Sequence, residues 1–225
     1  MCGRYTFTQL PAQEAVALSE SGQVDLRPRY NVAPSQPGLV RPSHDAAHYH
    51  LMRWGLIPHW AKDPKIGYKL INARLETVLE KPAFRQGVRQ RRIAVWADGF
   101  YEWKKTGSRT QPYRIVLCDA KPFHFAGLAE RWHSPEGEWI DSYTILTCPP
   151  NDLMANLHNR MPVLLAPDQV DAWLDPQADT EQLVADLGPY PSEAMRAYPV
   201  DARVGNVYND APNLVEPIAS QGRLF

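Results

Sequence analysis

"RIAVWADGFYEW" at residues 92–103, then "KKTGS" at 104–108 and "QPYRIVLC" at 111–118, is the stretch that decides the fold class. The outer blocks are short, rich in β-branched and aromatic residues, and bounded by turn formers, which is the pattern of strands. The lysine–glycine block between them reads as the tip of a hairpin. Two runs of the same kind follow, "FHFAGLAERW" (123–132) and "YTILTC" (143–148). Upstream, "HYHLMRWGLIP" (48–58) reads as a strand running into a loop, and "PRYNVAPSQPG" (28–38) as an ordered, proline-rich loop. Helical spacing is found in "PAQEAVALSE" (11–20) and in "NARLETVLEKPAFRQGVRQRR" (72–92), the latter broken near Pro82. Short helices are expected in "PPNDLMANLH" (149–158), "APDQVDAWL" (166–174) and "DTEQLVADLG" (179–188), the last stopped by Gly188. Strand runs mixed with helix clusters, without regular βαβ alternation, argue for an α+β fold with mostly antiparallel sheet.

The chain has 225 residues, 44% of them hydrophobic and 22% charged, enough apolar material for the core of one large domain. Its 21 prolines favour loops and short elements over long helices. No apolar run approaches the ~18 residues of a membrane helix, and the N-terminus lacks the blocks of a signal peptide. A cytosolic protein is therefore expected, and Cys2, Cys118 and Cys148 form no disulfide framework. The formal net charge is −1, yet 14 of the 24 Lys and Arg residues lie between Arg53 and Arg114 with only 5 acidic ones. Such a basic segment inside an acidic frame can focus positive potential on one face; a mixed surface is the plainer reading.

Cys2 is the residue with most chemical scope. Freed of Met1, it carries an α-amine with a pKa of ~7.7–8.0, against ~10.4 for lysine, so a useful fraction is unprotonated near neutrality. That amine can form a Schiff base with an aldehyde. The adjacent thiol can then add to the imine carbon and close a five-membered thiazolidine, which no internal cysteine can do. A small apolar residue tucked under the fold is the alternative.

Glu102, between aromatics near a strand end, is a candidate for a raised pKa and proton transfer, or else an exposed strand position. His158 ends a helix-like run, where the helix dipole alone favours it. Asn72 could cap a following helix or orient a substrate through its amide. Arg4, Arg74 and Arg160 lie beside these positions and suit bidentate phosphate contacts. Trp54, Trp60 and Phe84 lie in the basic segment, where aromatics serve either as core or as stacking platforms for single-stranded nucleic acid. His44, His48 and His50 point only weakly to metal, and no metal site is expected. No G-x-S-x-G elbow or phosphate-binding G-x-x-x-x-G-K-[ST] loop is present in the sequence.

Taken together, "MCGRY", "RYNVAPSQP", "RWGLIPHW", "INARLET", "ADGFYEWKK", "HNRMP" and "VGNVYND" resemble, in order and spacing, the SOS-response-associated peptidase (SRAP) family. The resemblance spans Cys2 to about Asn209. It implies a single SRAP-type domain over residues 2–225, with Met1 removed, and antiparallel sheets curled into a barrel-like core with flanking helices. It implies recognition of abasic sites in single-stranded DNA, near junctions with duplex, and their capture as a thiazolidine crosslink through Cys2. AP-lyase activity through the imine and self-removal of Met1 belong to the same expectation. Asn72 would position the amine and sugar, Glu102 would handle protons in ring opening and imine formation, and His158 would act as general acid or base. Arg4, Arg74 and Arg160 would hold phosphates, and Trp60, Pro34 and Phe84 would contact DNA around the lesion. The chemistry needs no cofactor, and a monomer is the default. The family commonly has Asp after the motif histidine, where this chain has Asn159, so proton transfer by His158 could be tuned differently. The alternatives are an N-terminal-nucleophile cysteine peptidase or amidohydrolase acting in trans, and a non-catalytic single-strand binding module.

Overall fold

A computed structural model describes residues 2–12 and 26–218. The expected helix at 11–20 falls almost wholly outside these residues. Strands β1 (Tyr5–Phe7), β2 (Arg29–Val32), β3 (Pro37–Pro42), β4 (His50–Trp54), β5 (Asn72–Arg74) and β6 (Arg92–Ala97) come first. The hairpin β7 (Gly99–Thr106) and β8 (Arg109–Leu117) follows, then β9 (Phe123–His133) and β10 (Trp139–Cys148). β11 (Met161–Pro162), β12 (Leu164–Leu165) and β13 (Met195–Pro199) complete the strands, with short helices α1 (Gly87–Gln90), α2 (Asp152–Ala155), α3 (Gln169–Leu174) and α4 (Thr180–Asp186) between them.

The strands form two sheets. One is antiparallel and ordered β13-β8-β7-β1-β2. The other runs β10-β4-β3-β6-β9 and closes, because β9 pairs back onto β10 from Gly127↔Ile145 to His133↔Trp139. Closure into a five-strand barrel removes the open edges that would otherwise invite aggregation. Among the described residues, only the β10 pairings with β4 and β5 are parallel. The fold is thus mostly β, a closed barrel with flanking helices, as the resemblance implied.

Three local expectations need correction. The run 92–103 is not one strand: β6 belongs to the barrel and β7 to the other sheet, with Asp98 as the break. Proline-rich 28–38 is not simply loop, because β2 and the start of β3 lie in it around a turn in which Ser35 has φ 70°. Pro37 and Pro42 sit at the two ends of β3, where a proline is best tolerated in a strand. The 72–92 stretch begins as β5, then becomes a 3₁₀ turn at Leu75–Thr77, and only Gly87–Gln90 is α-helical. Pairing of Asn72–Arg74 with Ile145–Thr147 overrides the helical spacing. A smaller difference concerns α4, which ends at Asp186 with Leu187 already extended, so Gly188 is not its left-handed stop.

The sheets are joined through the N-terminal strand. Tyr5 of β1 reaches into the barrel, edge-on to Trp54 and Phe125 at 5.2 and 5.9 Å between ring centroids. Its hydroxyl lies 2.7 Å from that of Tyr143, with both rings fully buried. Position 38 must be glycine here, since a Cβ would sit 2.0 Å from the Tyr5 oxygen and 2.1 Å from that of Tyr143.

A second anchor is Asp98, which is buried. Its carboxylate accepts from Thr6 Oγ1 (2.5 Å), Thr8 N (2.5 Å), Thr8 Oγ1 (2.6 Å), Gln9 N (2.8 Å) and Arg114 Nη2 (3.0 Å). The third anchor comes from the far end of the chain. Asn31 donates its amide to Val204 O, Asn206 O and Asn209 O, while Asp210 accepts from Tyr30 N, Asn31 N and Arg29 Nε. The segment leading out of Cys2 is thereby fixed in three directions.

Candidate functional site

The site lies where the start of the chain passes between the two sheets. β1 and β7 pair as Tyr5↔Phe100 and Thr6↔Gly99, and Tyr101 N donates to Arg4 O at 3.0 Å. Continued by two residues, this antiparallel register sets Glu102 beside Gly3 and therefore next to Cys2. From the barrel side, Asn72 on β5 donates Nδ2 to the Cys2 carbonyl at 2.8 Å. Asn72 therefore holds the chain start and does not cap a helix. Its Oδ1 is shielded from water and has no hydrogen-bond partner among the described residues, leaving an acceptor at the site unused.

Cys2 itself is fully buried, and its Sγ lies 3.8 Å from Arg4 O. Burial first, and then the Glu102 carboxylate, push the Cys2 thiol well up, so it stays protonated. Glu102 is 3% exposed, not an outward strand position. Its burial raises the carboxyl above the usual range, and the nearby His158 opposes that rise. The carboxyl is thus within electrostatic reach of both the thiol and the imidazole.

His158 follows α2, whose first turn is capped by the Asn151 side chain accepting from Met154 N at 2.9 Å. The His158 amide donates to Met154 O at 2.8 Å and closes the turn. The Arg160 amide donates to His158 Nδ1 at 3.1 Å. That contact makes Nδ1 the acceptor and leaves the neutral ring's proton on Nε2. Asn159 is exposed.

The arginines differ in state. Arg4 donates Nη1 to Val204 O at 3.0 Å and Nη2 to Gly205 O at 3.4 Å, and its guanidinium lies 5.9 Å from the Trp103 ring. Arg74, at the end of β5, is exposed. Arg160 is engaged by Glu76 and by Thr147 O at 2.5 Å. Trp60 is 52% exposed, and Pro34 is half-buried beside the Ser35 turn. The expectation for Phe84 is corrected, because the ring is packed in the core and offers no face to a base. Trp54 is likewise core, donating Nε1 to Ile71 O at 2.9 Å.

Of the histidine triplet, His48 Nδ1 and His50 Nε2 each lie 2.8 Å from one oxygen of Asp45. The His48 contact comes first in holding the Asp45 carboxyl below the usual range. No group of three or more His, Cys, Asp or Glu among the described residues is placed to hold a metal ion. No helix among the described residues is long and apolar enough to cross a membrane.

Sequence reasoning missed Asp98, Asn31, Asp210 and Glu76. An acid followed by glycine inside an apolar run was the one visible signal for Asp98, since such a pair interrupts a strand.

The family model for the SOS response associated peptidase (SRAP) matches residues 1–207. The chain is 43% identical to the abasic site processing protein YoqW of Bacillus subtilis (strain 168), covering 96% of this chain and 99% of that one. It is 30% identical to the abasic site processing protein YedK of Escherichia coli (strain K12), covering 97% and 100%. A crystal structure of a protein from Bacteroides thetaiotaomicron superposes with a TM-score of 0.88 at 26% identity, covering 97% of this chain and all of that one.

Proposed function

The chain belongs to the SOS response associated peptidase (SRAP) family, and on that premise we propose that it captures abasic sites in single-stranded DNA as a thiazolidine through Cys2. The observation that carries this reading is the seating of Cys2. Its carbonyl is held by Asn72, a buried carboxyl lies within electrostatic reach of its thiol, and an imidazole lies within reach of that carboxyl. The names of the relatives, abasic site processing proteins, supply the substrate class.

The steps follow from the groups present. Removal of Met1 frees the Cys2 amine. Glu102 takes the proton of the sugar's C1′ hydroxyl and returns one to the ring oxygen, exposing the aldehyde. The amine adds to that aldehyde, and water leaves as the imine forms, with His158 Nε2 as proton donor. The Cys2 sulfur then bonds to the imine carbon while its proton passes to the imine nitrogen. A thiol kept protonated by burial suits this order, with the amine first and the sulfur second. Asn72 Oδ1 is the acceptor that the freed amine would satisfy. AP-lyase activity would draw on the same imine, with His158 beside the 3′ phosphate. Arg74, Arg160 and Arg4 would face phosphates, and Trp60 with Pro34 would wedge against the neighbouring bases. An amidohydrolase acting in trans fits less well, because attack on an amide calls for a thiolate and burial opposes one here.

The test is the intact mass of the protein under denaturing conditions, with and without a single-stranded abasic oligonucleotide. The expected species has lost Met1 and gained the DNA strand less one water. Protein without Met1 that forms no such species would overturn the reading.

Glu102→Gln separates chemistry from stability. A carboxyl whose folded pKa is raised lends its stability at pH values below the unfolded glutamate range, and loses it as pH rises through the folded pKa. The glutamine variant should therefore match wild type in acid and exceed it in melting temperature at pH 7. Adduct formation and reversal should both slow by about 10²-fold or more. Unchanged rates in single-turnover assays would remove Glu102 from proton transfer.

A further inference from the structure

Glu76 lies two residues beyond β5, in the Leu75–Thr77 turn. Its two oxygens face the two terminal nitrogens of Arg160, with Oε2 to Nη2 at 2.8 Å and Oε1 against Nη1. This parallel fork is how a guanidinium also grips a phosphate. The two partners are held unequally. The Arg160 side chain is 13% exposed and tied from behind by Thr147 O at 2.5 Å, whereas Glu76 is 45% exposed. The arginine is a fixed receptor, and the carboxylate is an occupant that can swing into solvent. Exposed Arg74 also acts on it: the Arg160 hydrogen bond, with Arg74 adding to it, holds Glu76 below the usual carboxylate range and thus ionised.

We propose that Glu76 is a resident anion in a phosphate seat formed by Arg160 with Arg74, which a backbone phosphate of the bound strand must displace. This rests on the DNA reading above and adds a regulation of that site. Displacement costs every strand alike, damaged or intact. A strand with an abasic aldehyde recovers the cost through its covalent bond, and an intact strand does not. Glu76 therefore shortens residence on undamaged DNA while leaving the seat in place. The His158 tautomer does not depend on it, since that contact is made by the Arg160 backbone amide.

The experiment measures binding of an undamaged single-stranded oligonucleotide by fluorescence anisotropy across a salt series. Wild type, Glu76→Gln and Glu76→Ala are compared, each also with Arg160→Gln. Both Glu76 variants should bind about tenfold tighter near 0.1 M salt. The slope of log K against log salt should be unchanged in both, because wild type makes the same phosphate contact once Glu76 swings away, and should flatten by about 0.7 with Arg160→Gln, which removes one contact to a single strand. Neither gain should survive Arg160→Gln. Equal or weaker binding by both variants, or a gain that persists without Arg160, overturns the proposal. In a parallel arm, wild type is incubated with the abasic strand. An adduct there with no gain from either variant sinks Glu76 alone, whereas no adduct from processed wild type sinks the DNA-capture reading.

Discussion

Cys2→Ala is expected to fold normally and to form no adduct that survives denaturation. Alanine keeps the free amine and removes only the sulfur. The variant should still form an imine with the abasic aldehyde, detectable after borohydride reduction, but the imine cannot close into a ring. Intramolecular partners held in good geometry act at effective molarities of about 10⁵–10⁸ M. Added free thiol therefore cannot replace the missing group, and the stable fraction should drop by at least about 10²-fold. Truncation leaves a cavity of one sulfur in the core, costing on the order of 1 kcal/mol, so melting should change little. Two assays on one sample decide the matter. Loss of the stable adduct with retention of the borohydride-trapped one supports amine-first, sulfur-second chemistry. Survival of the stable adduct would mean that a different residue makes the bond.

Asp98→Ala should cost about 3–5 kcal/mol, the range for removing one partner of a buried ion pair. The substitution strands the Arg114 guanidinium and the Thr6, Thr8 and Gln9 donors at once. Asp98 is also where the chain leaves the barrel for the second sheet, so its loss loosens the joint that seats Cys2. The midpoint of urea denaturation measures the effect directly. A loss below about 1 kcal/mol would show that the strand start is held by Tyr5 and the C-terminal contacts instead.

These two residues mark the limits of reading the chain unaided. The strands at 111–118, 123–132 and 143–148 were legible because their residues are β-branched or aromatic and bounded by turn formers. The 92–103 run misled because both halves look alike and only Asp98 divides them. The 72–92 segment misled because the bonds that make β5 a strand are supplied by β10, some seventy residues later. In the site, isolated residues pointed to plainer roles: a cap for Asn72, an exposed position for Glu102. The resemblance overrode those roles. The structure places Asn72 on the Cys2 carbonyl and buries Glu102, which no local pattern encodes. Phe84 shows the reverse, an aromatic in a basic run that belongs to the core. Glu76 had no visible signal, because its partner is brought to it only by the fold.

The grip of residues 204–210 on Arg4 and on Asn31 sets a timetable. On a ribosome Arg4, beside Cys2, is made 200 residues before the Val204 carbonyl that fastens it. Throughout elongation the chain start has no complete pocket to enter. The pocket that seats Cys2 is assembled only after residues 204–210 have been made. A nascent chain stalled short of residue 204 would carry Cys2 without the contacts that fasten its neighbourhood.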